Sequence, residues 1–261
     1  MDIKELNVKT KDNKKLNHPW EMARIEVVLD ILKPLLKGET TEKNVLDIGC
    51  GDVFFISEFY KRYPNFKPSA VDIAFTDEII NKLKQEYSSF PIDYYKDVKD
   101  VNLTCGNADL IFFLDVIEHI ENDIDFLKGI KELPYVDNES IFVITVPAFQ
   151  GLFCNHDKWL GHYRRYSNAM LREHISKAGL KEVKSGYFFF SLLIPRVIQK
   201  LIEKPSNEDK VEGIGNWNKG KLVTNMYKSI LTFDYYFTKI LSKIGIRLPG
   251  LSTYIVCKKA L

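Results

Sequence analysis

Residues Asn44-Val-Leu-Asp-Ile-Gly-Cys-Gly-Asp52 carry an apolar run into a glycine turn, and a second periodic apolar segment, Val53 to Tyr60, begins at once. A short apolar run that ends in an acid and then meets glycine reads as a buried strand, and the spacing that follows reads as a helix start. Gly49 and Gly51 carry no Cβ, so the backbone there can adopt unusual dihedrals and approach a ligand closely. A strand, tight turn and helix of this kind opens an α/β sheet and constrains everything downstream.

The rest of the chain obeys that constraint. Strand patterns fall at 43–48, 68–73, 92–96, 109–115 and 140–146, the last two nearly all apolar, as buried parallel strands are. Helices are expected between them at 53–62, at 76–87 with Thr76 as N-cap and Asp77 and Glu78 behind it, and at 122–132 with Asn122 as N-cap. Ahead of the first strand, His18-Pro-Trp-Glu21 opens a helix with Ile25, Val28, Leu29 and Leu32 on one face, ended by Pro34. A further helix runs from Ser167 to a C-cap at Gly179, and strand character returns at 181–190 and at Leu251 to Lys258. The expected fold is α/β, a doubly wound, mostly parallel, Rossmann-like sheet of seven strands.

The expected domains are a helical cap over 1–40 and one large domain over 41–261, with a helical insertion at about 192–248. That insertion holds the Pro/Asn/Gly-rich stretch Pro205 to Gly220 and a helix over 221–244. The helix bears the stripe Leu222, Met226, Ile230, Phe233, Phe237, Ile240 and Leu241, read as core packing rather than a membrane or partner surface. Tyr187 to Pro195, ended by Arg196, is the longest apolar run. It is short of the roughly 20 residues a bilayer span needs, and reads either as a buried strand entering a helix or as a segment resting on a membrane.

With a formal net charge of +2, the chain has no electrostatic footprint for nucleic acid. Cys50, Cys105, Cys154 and Cys257 are dispersed without a C-x-x-C pair, which argues against both a zinc site and a disulfide frame. The polar start, Met1 to Asn17, is unlike a secretory signal, and a cytoplasmic location is expected.

Asp72 closes Ala70-Val-Asp-Ile73 one βαβ step after the glycine turn, where a ribose-binding carboxylate belongs. A nicotinamide or flavin G-x-G-x-x-G would need glycine at position 54, where Phe54 stands. The acid Asp47 two residues before Gly49 instead resembles the D/E-x-G-x-G first motif of class I S-adenosylmethionine-dependent methyltransferases. Val53 departs from it where many members have a third glycine. A second signal, Ala108-Asp-Leu-Ile-Phe-Phe-Leu-Asp-Val-Ile-Glu-His-Ile120, resembles the D-V-L-E-H form of the fourth motif found in small-molecule members.

The resemblance implies an antiparallel last strand and S-adenosyl-L-methionine (SAM) as cofactor, with S-adenosylhomocysteine as product. It implies cofactor contacts from Asp47, Gly49, Cys50, Gly51, Asp72, Ile73, Leu114 and Asp115. Asp97 with Val98 is the adenine-side candidate, with Asp93 and Asp100 as alternatives. It also implies an N-terminal helix over the cofactor, with Trp20, Glu21 and an Arg24 able to meet the cofactor carboxylate. His119 is implied to face the pocket; the alternative is that Glu118 and His119 merely cap a helix.

Thr145-Val-Pro-Ala-Phe-Gln150 followed by His156-Asp-Lys-Trp-Leu-Gly-His-Tyr-Arg-Arg-Tyr166 resembles a bacterial and archaeal subfamily with H-D-x-x-L-G-H-x-R-R-Y, often tied to glycan and secondary biosynthesis. An acceptor hydroxyl or amine must lose a proton as it attacks the methyl carbon, and histidine suits that task. His119, His156 and His162 are the catalytic candidates, with Asp157 able to orient an imidazole. Arg164, Arg165 and Tyr166 are candidates for holding an anionic acceptor. The plainer reading has the arginines pairing with nearby acids and the histidines fixing a loop.

The expected activity is methyl transfer to oxygen or nitrogen of a small molecule: a sugar, a lipid-linked sugar or another anionic metabolite. No metal and no nucleic-acid partner are expected, peripheral membrane contact is allowed, and the oligomeric state is open. The rivals are a non-catalytic SAM-fold binding protein, an RNA or DNA methyltransferase and a nicotinamide oxidoreductase.

Overall fold

The structure is a computed structural model that describes residues 18–103, 106–203, 217 and 219–260. The sequence readings for Met1 to Asn17, Cys105 and most of Pro205 to Gly220 lie outside these residues. Seven strands form one sheet: β1 Lys43–Ile48, β2 Phe66–Val71, β3 Asp93–Tyr95, β4 Ala108–Leu114, β5 Ile141–Pro147, β6 Leu180–Phe188 and β7 Ser252–Lys259. Their order is β3-β2-β1-β4-β5-β7-β6. The pairs β1/β2, β1/β4, β2/β3 and β4/β5 are parallel.

β7 runs the other way. Leu251, at its start, accepts from Ala148 just past the end of β5, and donates to Phe189 just past the end of β6. At its far end Ala260 donates to Gly179, just before β6 begins. The expected fold class is therefore observed, including the antiparallel last strand.

β1 is the strand on which the order reverses. Asp47 lies opposite Ala70 of β2 on one side and Phe112 of β4 on the other. In open α/β sheets, ligands collect beyond the carboxyl ends of strands at such a reversal. β2 starts two residues earlier than its apolar pattern indicated, with Pro68 inside it. Proline is tolerated there because pairing to β3 begins only at Ser69, so the strand has a single neighbour at position 68.

Eight α-helices are described: α1 Pro19–Leu32, α2 Phe54–Arg62, α3 Asp77–Glu86, α4 Asp123–Lys131, α5 Asn155–Leu160, α6 Asn168–Lys177, α7 Leu193–Ile202 and α8 Gly220–Lys243. α1 opens with a capping box: the His18 ring accepts from Trp20 N–H at 3.2 Å, and Glu21 accepts from His18 N–H at 3.2 Å. Pro19 occupies its first turn, where a missing N–H costs nothing. Thr76 caps α3 as expected, accepting from Ile79 N–H at 3.2 Å.

The chain divides into two compact units, each assembled from three segments. One comprises Gly38–Val146, Asn168–Ser185 and Tyr254 onward. Its core gathers aromatic rings from α2, β2 and β4: Phe59 lies 5.3 Å from Phe66 and 5.4 Å from Phe112, both edge-on. Truncating such a fully buried phenylalanine typically costs about 3–5 kcal/mol.

The other unit holds the segment up to Lys37, Pro147–Ser167 and Gly186–Thr253. There α8 packs along α1, with Lys228 on Glu26 at 3.0 Å and Tyr235 donating to Asp30 at 2.6 Å. Leu231 and Tyr235 are the buried face of α8. The stripe read as core packing is the opposite face and lies open: Leu222 is 88% and Phe233 71% exposed. Both faces of this helix are apolar, and periodicity alone does not tell which one is covered.

Candidate functional site

The glycine turn is built by backbone and one buried carboxylate. β1 delivers Asp47, itself buried, to the start of the turn, and Gly49 N–H continues the sheet by donating to Val71 carbonyl at 2.8 Å. Gly49 has φ +72°, and a Cβ placed on it would sit 2.6 Å from Cγ2 of Val116. Only glycine fits: the dihedral disfavours a side chain, and the space is occupied by the loop that leaves β4. Gly51, at φ 58°, donates its N–H to Asp72 Oδ2 at 2.9 Å, and Ala74 N–H donates to the other oxygen at 3.0 Å. The carboxylate expected to bind ribose thus also fixes the turn. Each oxygen keeps a second lone pair for a ligand. Beside this buried acid, Ile73 is 91% exposed, an apolar side chain held out at the sheet edge.

Cys50 is buried within the turn, and its thiol is pushed well above the usual range by burial, then by the Asp47 and Asp72 carboxylates. It is therefore protonated at neutral pH and is no nucleophile.

Four non-glycine residues among those described take positive φ: Phe149 and Phe189, just past β5 and β6, and two on this edge. Val53, fully buried, has φ 54° and ψ 13°, and Asp115 has φ 59°. A left-handed conformation costs a side-chain-bearing residue roughly 1–2 kcal/mol, and a β-branched residue there is rare. Val53 thus takes a conformation that glycine would adopt freely, at the position where many members of the resembled family have their third glycine. Asp115 turns the chain out of β4; its N–H donates to Thr145 carbonyl at 2.9 Å, and Thr145 Oγ1 lies 3.3 Å from its Oδ1. Strained backbone thus follows β1 and β4, the two strands between which the strand order reverses.

The other residues on this edge follow. Leu114 is buried at the end of β4, and Ile117, Glu118 and His119 form a short 3₁₀ turn with Glu118 fully buried and His119 partly exposed. Asp97 comes two residues after β3 and is exposed, with Oδ1 accepting from Lys99 N–H at 2.8 Å. Val98 carbonyl accepts from the Tyr135 hydroxyl at 2.7 Å, which ties this loop to the one before β5. The structure therefore brings Asp47, Gly49, Cys50, Gly51 and Asp72 into one turn, with Leu114 and Asp115 on the next strand of the same edge. Asp97 and Val98 follow β3, on the other side of β2.

The second candidate set lies wholly within the other unit and centres on Asp157. This carboxylate is fully buried, and four groups converge on it. The Nδ1 of His162 is 2.9 Å from Oδ1. Arg165 grips the same oxygen through Nε at 2.9 Å and Nη2 at 2.8 Å. Arg196 Nη2 reaches Oδ2 at 3.1 Å, and Cys154 N–H donates to it at 2.9 Å. Burial opposes its charge, but His162, Arg165 and Arg196 outweigh that and hold the carboxyl far below the ordinary range.

Arg165 also donates to Ala148 carbonyl at 3.3 Å and is 4% exposed, and Tyr166 is fully buried. Both face inward, as the plainer reading of this segment had it. Arg164 is partly exposed, over the Tyr163 ring. His156 stacks on Trp159, and burial followed by the Arg196 charge lowers its pKa to about 4. It is neutral at pH 7 and a poor proton acceptor. In α1, Arg24 is buried with its guanidinium 4.6 Å from the Trp20 ring centroid, a cation–π contact within the helix.

Sequence reasoning did not single out Arg196, Thr145 or Val116. Arg196 looked like the polar stop of an apolar run, and its role depends on a contact spanning 39 positions. Val116 was hidden inside the motif it belongs to. Nothing in its type announces that it fills the space over Gly49.

Residues 20–184 match a family model described as a methyltransferase domain. Among curated proteins no match is found. Among solved structures, the chain resembles a putative sarcosine dimethylglycine methyltransferase from Galdieria sulphuraria at 14% identity and TM-score 0.52, over 92% of this chain and 84% of that one. It resembles phosphoethanolamine N-methyltransferase 2 of Haemonchus contortus in complex with S-adenosyl-L-methionine at 14% identity and TM-score 0.53, over 90% of this chain but 53% of that longer one. The [4+2]-cyclase SpnF resembles it at 12% identity and TM-score 0.58, over 99% of this chain and 92% of that one. At these identities the structural likeness speaks to the fold.

Proposed function

The chain belongs to the methyltransferase-domain family, and from that membership we propose that it is a SAM-dependent enzyme that moves a methyl group to oxygen or nitrogen of a small molecule. The observation that carries this reading is the turn at β1: Gly49, with no room for a Cβ, and Gly51, tied by its N–H to the buried Asp72. A carboxylate that already accepts two amides is fixed in place and still offers lone pairs to the two hydroxyls of a ribose. Asp47, Gly49, Cys50 and Gly51 would border the methionine portion and Asp72 the ribose. Ile73 would lie against the adenine, with Asp97 and Val98 at its edge, and Leu114 and Asp115 would complete the wall.

The cofactor, when bound, supplies a methyl carbon activated by a sulfonium. The protein's part is to align the acceptor and to take its proton. His119 and His162 are the proposed proton acceptors, and Asp157 fixes the ring of His162 through Nδ1. Arg164 is the proposed contact for an anionic group, with Arg165 and Tyr166 supporting the segment from within. The acceptor class stays as first read: a sugar, a lipid-linked sugar or another anionic metabolite.

A second reading, a protein of this fold that binds the cofactor without methyl transfer, is favoured by Val53 in its left-handed conformation. Such a residue crowds the turn where glycine would leave it open. Calorimetric titration with SAM, S-adenosylhomocysteine and NAD, followed by transfer of labelled methyl to a panel of anionic sugars and lipids, separates the readings. Binding of the first two with labelled product supports the enzyme. Binding with no product on any acceptor supports the second reading, and binding of NAD alone sinks both.

A further inference from the structure

We infer that α7 and α8 form a docking surface for a bilayer that carries anionic lipid. The open stripe of α8 is continuous over the helix: Leu222 88%, Met226 53%, Ile230 49%, Phe233 71%, Phe237 48% and Ile240 61% exposed. Spacings of three and four place all six on one side, nearly opposite the Leu231 and Tyr235 face that packs against α1. α7, in the same unit, is strongly amphipathic and leaves Leu201 79% and Ile202 73% exposed. A monomeric soluble protein rarely presents so long an apolar surface to water.

The charges select the occupant. α8 carries four lysines and a single acid, Asp234, which is buried and accepts from Ser191 N–H at 3.2 Å. Lys228 and Lys239 are taken up by Glu26 and Asp30 of α1. Lys221 near the start of the helix and Lys243 at its end remain exposed, and Arg247 follows just beyond. α7 contributes Lys200, 3.6 Å from Glu203 just past the helix, while its Arg196 is turned inward onto Asp157. An apolar stripe with cations at both ends fits the interface of an anionic bilayer, with the stripe at the acyl boundary and the cations among the headgroups. A second copy of the chain is the poorer fit, because pairing two such faces antiparallel sets Lys221 of one copy beside Lys243 or Arg247 of the other. Among the described residues no helix is long and apolar enough to cross a membrane, so α8 would lie on the surface.

The test is co-sedimentation of the full chain with vesicles of phosphatidylcholine, alone or mixed with phosphatidylglycerol, with sedimentation velocity run alongside. The chain is expected to pellet with the mixed vesicles, and roughly tenfold less with phosphatidylcholine alone or at high salt. The double variant Phe233→Asp, Phe237→Asp should lose at least about tenfold of that binding while melting like the parent, since both side chains face water. Should it fail to fold, Lys221→Glu with Lys243→Glu carries the test, with a several-fold loss expected only on phosphatidylglycerol. A parent chain that stays in the supernatant, or variants that bind as it does, would overturn the inference. So would a concentration-dependent dimer that the phenylalanine variant dissolves, which would assign the face to a second copy.

Discussion

The glycine turn and the Asp157 cluster are both buried, polar and placed at loop ends, yet they are built in opposite ways. In the turn, Asp72 is satisfied by two backbone amides and the shape is set by dihedrals only glycine adopts easily. In the cluster, one carboxylate is satisfied by a histidine and two arginines, with a single amide contributing. A site made from backbone depends on residues close in sequence and tolerates few side chains. A site made from charged side chains collects residues from distant segments, and it has to offset the desolvation of every ion it buries.

Substitutions can break or sharpen that contrast. The largest effect is expected from Gly49→Val, where a Cβ at 2.6 Å from Val116 and a left-handed dihedral act together. Cofactor affinity should fall by about 100-fold or more, equivalent to roughly 3 kcal/mol or more, and calorimetric binding close to the parent's would displace the site from this turn.

Asp157→Asn should instead act on stability. It leaves two buried guanidiniums without their counter-charge, and unfolding free energy from a urea titration should drop by about 3–5 kcal/mol. A loss under about 1 kcal/mol would mean that the cluster is solvated and weak.

pH probes the same cluster. The folded pKa of His156, about 4, lies below the unfolded value of about 6.5, so the unfolded chain binds more protons between the two. Its contribution is complete above about pH 6.5 and is lost as pH falls towards 4. His156→Gln should flatten the stability slope across that window, and an unchanged slope in thermal melts would show that another group sets it.

Asp72→Ala removes the acceptor of Gly51 and Ala74 amides and should weaken SAM binding by about 1–3 kcal/mol. The smallest effect is expected from Val53→Gly. Relief of about 1–2 kcal/mol of dihedral strain is set against the lost burial of a valine, about 1.5 kcal/mol or more. Net stability should change by under about 1 kcal/mol. A gain in SAM affinity there would show that Val53 crowds the cofactor, whereas a large loss of stability would mean that the valine's packing outweighs its strain.

The contrast also explains what the sequence made legible. Strand boundaries in the sheet came out within about two residues, because alternating apolar runs and glycine punctuation are local signals. Thr76 as N-cap and glycine at position 49 were likewise decided by neighbours. The α5 helix gave no warning: it is a short polar segment whose capping acid, Asp157, is held by Arg165 and by Arg196 from far along the chain. The open face of α8 was misread for a related reason, since a helix apolar on two sides carries no mark of which side finds a partner.

The sequence by itself settled the alternation of strands and helices around the sheet, the glycine turn with its acids, and the absence of a glycine at positions 53 and 54. Each follows from backbone sterics and hydrophobic periodicity, which act over a few residues. Only the tertiary structure decided that Asp72 locks the turn through Gly51, that Arg165 turns inward onto Asp157, and that α8 shows its other face to water. Those outcomes depend on which surfaces meet, and burial of charge and apolar area is settled between segments far apart in the chain.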